Sequence, residues 1–265
     1  MDKINRITSE EYLKSVGLPN VTKSYRPFSH GQLIDLTKEH LDKNNLCIKK
    51  ETFLTVDDGA LMTAKFQISS IEDNEMALTM MLQNSYNKKV TAKIACGFHV
   101  FVCSNSACVG DMGSLRRKHT GGITNIIPST IASFTKRLGD YFEDMVKQRE
   151  IMKEIEITKR ITAELVGRMF VEDNIITSSQ LNIINREIKN PSFDYKADDT
   201  LWQLYQFTTS AMKEAHPLHW LDSHIDAHNF FLNESSRLKG TLLIQPSSIQ
   251  IIEESKFKQL ELWEN

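Results

Sequence analysis

Disulfide frameworks, membrane spans and secretion signals all lack support in this sequence. Four cysteines in 265 residues are too few to hold an extracellular fold together. No segment reaches the roughly 18 consecutive apolar residues that a membrane-spanning helix needs. The first residues, MDKINRITSEEYLK, contain no apolar stretch of the signal-peptide type. We therefore expect reduced thiols, a soluble cytoplasmic protein and no membrane partner.

Several nucleotide-binding and hydrolase motifs are also missing. The chain has no G-x-x-x-x-G-K-[ST] loop, no G-x-G-x-x-G turn and no G-x-S-x-G elbow. P-loop nucleotide hydrolysis, dinucleotide binding and α/β-hydrolase chemistry are therefore poorly supported, and no cofactor is predicted. There is no helix-turn-helix and no paired-cysteine zinc module, which disfavours recognition of a duplex by its base sequence.

The residues that are present indicate a globular protein with an uneven charge distribution. Hydrophobic residues make up 40% of the chain, and 32 Lys and Arg oppose 34 Asp and Glu. Residues 84–139 carry eight basic side chains and one acidic side chain, whereas both flanking segments are acidic. A basic middle segment is typical of a local polyanion site. Alternatively, it neutralises the acidic carboxy-terminal half within the fold.

Two short helices are predicted near the amino terminus. Thr8 and Glu11 fit a capping box ahead of a helix over Glu10–Val16. Ser29 and Gln32 repeat that signature ahead of a helix over residues 30–43.

From Leu46 onwards, the apolar period changes to two, which is typical of strands. Four β-rich runs follow one another: Leu46–Val56, Ala60–Ser69, Glu75–Gln83 and Val90–Ser104. Asp57-Asp58-Gly59 predicts a hairpin between the first two runs. Short connections favour an antiparallel meander. In the fourth run, Lys93, His99 and Cys103 are expected on the face opposite to the apolar side chains.

The second half of the chain is predicted to be mainly helical. Asn105–Pro128, with few periodic apolar residues, is expected to be a long loop, and a long or kinked helix follows Ser129. Later elements are expected in this order: a helix capped by Thr177 and Gln180, helices over Leu201–Ala215 and Leu218–Asn233, and a strand over Thr241–Gln245.

These elements predict an α+β protein. A short N-terminal helix precedes an antiparallel meander of about four to six strands, a long helix packs on the sheet, and the C-terminal half is helical. Residues 1–128 form the sheet region with its basic loop, and residues 129–265 form a helical region packed into the same domain.

The basic run Arg116-Arg117-Lys118-His119 is the sharpest chemical feature of the sequence. Adjacent cations beside Gly121-Gly122 can hold phosphates through charge and through exposed backbone N–H groups. Lys88, Lys89 and Lys93 would extend this track, with stacking surfaces from Tyr86, Phe98 or Phe101. Alternatively, the cations belong to a solvated loop and pair with acidic helices.

Metal sites are weaker candidates. Cys96, His99, Cys103, Cys108 and His119 lack the close cysteine pairs that structural zinc sites prefer. A denser cluster comprises His219, Asp222, His224 and His228, with His216 and Asp226 nearby, and its spacing allows a carboxylate-imidazole site on a helix. Because it lacks the Glu of H-E-x-x-H, a polar helix face is the favoured interpretation, and no metal is predicted.

Three stretches resemble a known family. They are Asn84-Ser85, then Gly97-Phe98-His99 through Asn105 with Arg116 to Thr120, and finally Thr200-Leu201-Trp202 through Thr209 with Lys213 after it. Over roughly residues 25–232 they resemble domain-of-unknown-function family 932, seen in phage, plasmid and prophage proteins. The chain has Ser104 where such proteins more often have Asp, and Asn84-Ser85 lacks the His that usually follows. The helix–meander–helix order is also similar to that of strand-annealing recombinases.

The resemblance implies a mobile-element protein of phage or plasmid type. Together with the basic run, it predicts a non-catalytic protein that binds nucleic acid, single-stranded DNA above all, without sequence specificity. Self-assembly through the long helix would make it a homo-oligomer. Two alternatives stay open: a metal-dependent enzyme that uses the His/Asp cluster, and an interaction protein that sequesters a host factor or a small anionic ligand.

Overall fold

A single antiparallel sheet organises the chain. The computed structural model describes residues 6–101, 106–195, 198–215 and 218–240, with the backbone alone for Arg6 and residues 106–117. Six strands pair in chain order, each with the next. They are β1 (Arg6–Thr8), β2 (Ile48–Val56), β3 (Leu61–Glu72), β4 (Met76–Ser85), β5 (Ala92–Val100) and β6 (Ser106–Arg117). The predicted α+β class and meander are confirmed.

Eight α-helices are found in the described ranges. They are α1 (Glu10–Ser15), α2 (His30–Lys43), α3 (Ile123–Thr135), α4 (Leu138–Glu154), α5 (Lys159–Gly167), α6 (Ser178–Lys189), α7 (Leu201–Ala211) and α8 (Trp220–Lys239). A π-helical turn, Arg168–Glu172, follows α5, and a 3₁₀ turn, Met212–Glu214, follows α7. None of these helices combines the length and apolar content that crossing a bilayer requires.

Side-chain caps explain where three helices begin. Ser29 accepts a hydrogen bond from the backbone N of Gln32, and Thr177 forms the predicted reciprocal box with Gln180. The prediction for α1 was wrong by one residue, because Ser9 caps this helix in place of Thr8.

Asp57-Asp58-Gly59 forms the predicted turn between β2 and β3. All three residues have positive φ, and that of Gly59 is +93°. A Cβ atom on Gly59 would also lie 2.6 Å from Cγ2 of Val16. Only glycine fits here without displacing its neighbours.

The predicted loop Asn105–Pro128 was wrong. Ser106–Arg117 forms β6, and α3 begins at Ile123, so that Pro128 lies inside a helix. The strand escaped prediction because two glycines interrupt its alternation. It forms nevertheless because the outer backbone groups of β5 need hydrogen-bond partners, which β6 supplies in two stretches, Ala92↔Arg117 to Ala95↔Ser114 and Cys96↔Val109 to His99↔Ser106, with a register shift between them.

The single long helix expected after Ser129 is also corrected. It is two helices, α3 and α4, which are separated at Lys136 and Arg137. The apolar side chains of α4, among them Tyr141, Met145 and Met152, lie in the main core of the chain. The stripe that suggested self-assembly is therefore the core-facing side of this helix.

Helices cover both faces of the sheet. On one face, alternate residues of β4 and β5 join α3, α4 and α7 in the main core, which takes residues from both predicted regions of the chain. On the other face, Leu221 and Ile225 of α8 pack against Met81 and Ala95. Lys93, which was expected to extend the phosphate track, is instead buried by α8 on this face. The strand predicted over Thr241–Gln245 lies outside the described residues.

Candidate functional site

A buried polar network lies at the end of β4, centred on Asn84. The side chain of Asn84 is fully buried, and its Nδ2 donates to the carbonyl oxygen of Phe28 at 2.7 Å. The same Nδ2 lies 3.0 Å from Nδ1 of His30, and Oδ1 of Asn84 lies 2.7 Å from Nε2 of His119. Nε2 of His30 in turn lies 3.0 Å from the carbonyl oxygen of Gly59. Three distant segments therefore meet at the amide of Asn84, and His30 links a fourth, the turn at Gly59.

Two backbone carbonyls fix the protons of this network. A carbonyl can only accept, so the Asn84 atom facing Phe28 must be the amide nitrogen, and Nε2 of His30 must carry the proton that faces Gly59. Nδ1 of His30 then accepts from Asn84, and Oδ1 of Asn84 accepts from a protonated Nε2 of His119. Each histidine is therefore held in a single neutral tautomer, with its proton on Nε2.

Burial keeps both rings uncharged at neutral pH. Desolvation lowers the pKa of His30 to about 4, and the nearby His119 adds to that effect. Desolvation also lowers the pKa of His119. A proton on Nδ1 of His30 would remove its acceptor and break the contact with Asn84.

Two tyrosines close the network from the outside. The ring of Tyr86 stacks on His30 with centroids 3.8 Å apart, and its hydroxyl accepts from the backbone N of His30 at 2.8 Å. Tyr25 donates its hydroxyl to the carbonyl of Tyr86 at 3.1 Å, and its ring centroid lies 5.6 Å from that of His119. These contacts hold the segment before α2 against the end of the sheet.

We expect Asn84→Ala to lower the free energy of unfolding by about 2–4 kcal/mol, because it leaves three buried polar groups without their partner. Urea unfolding of the purified variant would measure this. Asn87→Ala is the matched control, since it removes a partly exposed amide bonded to Asp57. This control should lower the free energy of unfolding by less than about 1 kcal/mol. Equal losses in the two variants would contradict the stabilising role of the network.

Exposed cations surround this buried network. Nζ of Lys88 lies 4.6 Å from the ring centroid of Tyr25, in a cation–π contact. The backbone N of Arg26 donates to the carbonyl of His119 at 2.8 Å, and Lys118 directly precedes that histidine. The side chains of Arg26, Lys88 and Lys118 are exposed. We call these three residues the basic surface.

The other basic residues predicted for the phosphate track are placed differently. Lys89 is exposed and pairs with Asp57 at 2.8 Å. Arg116 and Arg117 end β6 opposite Lys93 and Ala92, so the backbone leads this pair directly into Lys118; their side chains lie outside the described part of the structure.

Lys93 does not belong to an exposed track. Its side chain is 6% exposed, and Nζ contacts both carboxylate oxygens of Asp222 on α8, at 2.8 and 3.0 Å. Alternation in β5 suggested a surface lysine because the pattern alone cannot show that a later helix covers the second face.

The predicted stacking aromatics are not available at the basic surface. Tyr86 is buried beneath Tyr25, and Phe98 lies in the main core against Trp202 and Tyr205. Phe101 is partly exposed, but it follows the opposite end of β5.

The described members of the C-terminal His/Asp cluster are not arranged as a metal site, and His216 lies outside the described residues. Within the described ranges, no three His, Cys, Asp or Glu side chains lie close enough to hold an ion together. Asp222 pairs with Lys93, and Nδ1 of His228 lies 2.8 Å from the hydroxyl of Tyr205. The polar-face interpretation was wrong for His224 and His228, since both are buried. His219 precedes α8 as its N-cap residue.

Sequence reasoning missed Tyr25, Arg26 and His30 as site residues. Their positions depend on contacts with residues 29 to 94 positions away along the chain, which no local pattern reports. The signal that could have found the site was the resemblance itself, because Asn84 and His119 belong to separate stretches of it and meet at 2.7 Å.

Comparisons with known proteins identify a family without an activity. No curated protein and no solved structure matches the chain. The family model described as "Domain of unknown function (DUF932)" matches residues 18–236, which span the sheet from β2 to β6, the buried network and nearly all of α8. The chain therefore belongs to the DUF932 family.

Proposed function

We propose that this protein binds single-stranded nucleic acid through the phosphate backbone at its basic surface. The observation that carries the proposal is the grouping of Arg26, Lys88 and Lys118 around a rigid buried network, at the end of the sheet where β6 delivers Arg116 and Arg117. Cations held on a fixed scaffold match the repeating charge of a polynucleotide.

Recognition by this surface would be independent of base sequence. Phosphate contacts position a nucleic acid but carry no sequence information. Because the predicted stacking rings are buried or lie elsewhere, ion pairing supplies most of the affinity, and binding should weaken steeply with salt. The mobile-element context, and strand annealing within it, rest on the resemblance and complete the proposal.

Fluorescence anisotropy of labelled single-stranded and duplex oligonucleotides across a salt series tests the proposal. Lys88→Ala/Lys118→Ala should bind the single strand at least tenfold more weakly at low salt. The slope of log K against log salt should become shallower by about 1.4, corresponding to two lost contacts. Arg116→Ala/Arg117→Ala measures the contribution of the pair that ends β6.

Lys43→Ala/Lys147→Ala is the matched control, with the same change in charge. Both lysines are exposed, and Lys43 lies at the far end of α2, about 20 Å from His30. The control should bind like the wild type. Absence of binding at low salt, or equal weakening in both double variants, would overturn the proposal.

The dependence of affinity on oligonucleotide length distinguishes this proposal from the alternative, an interaction protein that binds a small anionic ligand. A polynucleotide track gains affinity as the oligonucleotide lengthens from a few nucleotides to the span of the surface. A small-anion site gains nothing beyond the first phosphates.

A further inference from the structure

The segment between α1 and α2 carries two apolar side chains that are open to solvent. Leu18 is 51% exposed, and Val21 is 64% exposed. We call these two residues the apolar pair. Covering an apolar side chain that is left in water is favourable, so exposed apolar residues beside a binding surface are candidate ligand contacts.

Both ends of this segment are fixed near the buried network. Before the apolar pair, the side chain of Val16 packs on Gly59, where a Cβ atom would lie 2.6 Å from its Cγ2. After the pair, Thr22 and Tyr25 exchange two backbone hydrogen bonds, at 2.9 and 3.4 Å. Tyr25 in turn donates its hydroxyl to the carbonyl of Tyr86. The apolar pair is therefore held at the same end of the sheet as the network.

Val21 is also close to the basic surface. It directly precedes Thr22, Arg26 directly follows Tyr25, and Thr22 and Tyr25 form an antiparallel bridge. Successive Cα atoms are about 3.8 Å apart and bridged ones about 5.5 Å, so the Cα atoms of Val21 and Arg26 lie at most about 13 Å apart. A ligand on Arg26 therefore passes near Val21.

The cations around the apolar pair are not neutralised. Residues 12–34 contain no Asp or Glu. Lys23 is exposed, and neither it nor any residue of the basic surface pairs with a carboxylate in the part of the chain that the structure describes. By contrast, Lys89 pairs with Asp57. This area favours a ligand that combines negative charge with an accessible apolar part.

A single-stranded nucleic acid has this combination. In a duplex, the bases are paired and stacked, so a protein reaches only their edges in the grooves. In a single strand, unstacked bases expose their faces. Apolar side chains pack against base methyl groups and between unstacked bases. An anionic membrane is a poorer match, because membrane-bound elements present a continuous apolar face, whereas the polar Asn20 lies between Leu18 and Val21.

We propose that Leu18 and Val21 contact the bases of a single strand whose phosphates lie on the basic surface, and that these contacts determine the preference for single strands over duplex. This inference rests on the proposed function. Phosphates are present in both forms of nucleic acid, so the cations alone do not distinguish them. The apolar pair adds a contact that only the single strand can make.

Fluorescence anisotropy with three labelled ligands of equal length tests this inference. They are oligo(dT), an abasic strand with the same phosphates but no bases, and a duplex. We expect the wild type to bind oligo(dT) about fivefold more tightly than the abasic strand, because the bases cover apolar surface. Leu18→Ser/Val21→Ser should remove this difference by weakening the binding of oligo(dT) alone. The slope of log K against log salt should not change, since the variant alters no charge.

Val171→Ser/Ile188→Ser is the matched control, because it replaces two exposed aliphatic residues elsewhere. Val171 is 74% exposed in the π-helical turn, and Ile188 is 38% exposed near the end of α6. The control should bind all three ligands like the wild type. Both double variants should fold, since their substitutions lie at the surface.

The outcomes separate this inference from the proposed function. If Lys88→Ala/Lys118→Ala weakens binding but Leu18→Ser/Val21→Ser binds oligo(dT) like the wild type, the role of the apolar pair is overturned and the phosphate surface stands. Equal wild-type affinity for oligo(dT) and the abasic strand has the same meaning. If no ligand binds at low salt, both proposals fail. Loss of binding to anionic lipid vesicles in Leu18→Ser/Val21→Ser, with oligo(dT) binding unchanged, would assign the apolar pair to a membrane instead.

Discussion

Acidification from pH 7 to pH 5 is expected to lower the free energy of unfolding by about 5 kcal/mol, with about three protons taken up on unfolding. Three buried histidines cause this loss. Desolvation lowers the pKa of His224 and of His228 to about 3, and that of His30 to about 4. In the unfolded chain, the pKa of each histidine would return to about 6.5.

The sign of the effect follows from these directions. Because the pKa values of the folded state lie below those of the unfolded state, the unfolded chain binds more protons at pH 5. The stabilisation is complete when the pH lies above the pKa of the unfolded state. It declines as the pH falls through that pKa, and it continues to decline until the pH reaches the pKa values of the folded state. His99, whose pKa desolvation lowers to about 4, adds a smaller amount, since its partial exposure to solvent screens the effect.

Urea unfolding at several pH values between 7 and 5 gives the slope of the free energy of unfolding against pH. This slope measures the number of protons that the chain takes up on unfolding. His224→Phe should reduce the slope by about one proton, and it also removes two buried nitrogens that have no hydrogen-bond partner among the described residues. Ile225→Val, in the same helix, is the control and should lower stability by about 1 kcal/mol without changing the slope. A stability that is flat across this pH range would contradict the assignment.

Asp222→Ala is expected to destabilise the protein by about 3 kcal/mol, because it leaves the buried ammonium of Lys93 without its countercharge. The loss lies at the lower end of the range for buried pairs, since Asp222 is partly exposed. Urea unfolding at neutral pH measures it.

Replacing both partners separates the cost of an orphaned charge from the value of the pair. Lys93→Met/Asp222→Ala should recover most of the lost stability, since no buried charge remains. Asp144→Ala, which removes the partner of the exposed Lys147, should change stability by under about 1 kcal/mol. If the double variant were as unstable as Asp222→Ala, the loss would come from packing and not from charge.

Local sequence patterns predicted the elements that local interactions specify. Cap residues located α2 and α6, and alternation located β2 to β5 with ends within a few residues. β6 was missed because its pairing with β5 comes from tertiary structure and not from its own pattern. The same reason explains why α3 begins before Pro128, which as a local signal marks a helix boundary.

The candidate site was predictable in part. The basic segment stood out, and Asn84 lay in a stretch that carried the family resemblance. The sequence could not show that Tyr25 and His30, which precede the first hairpin in the chain, contact this end of the sheet. Lys93 shows the complementary failure. The sequence placed Lys93 correctly in β5. It could not show that Lys93 is buried, because this burial depends on α8, which lies more than a hundred residues later in the chain.

The link between Lys93 and Asp222 also sets an order of assembly. The strands pair with their neighbours in chain order, so the meander forms from contacts between adjacent segments. Its second face is completed by α8, whose Asp222 lies 129 residues after Lys93. At typical rates of synthesis, that interval is on the order of ten seconds. Throughout it, the nascent sheet presents Met81, Ala95 and Lys93 without their α8 partners, and this face is completed only after α8 docks.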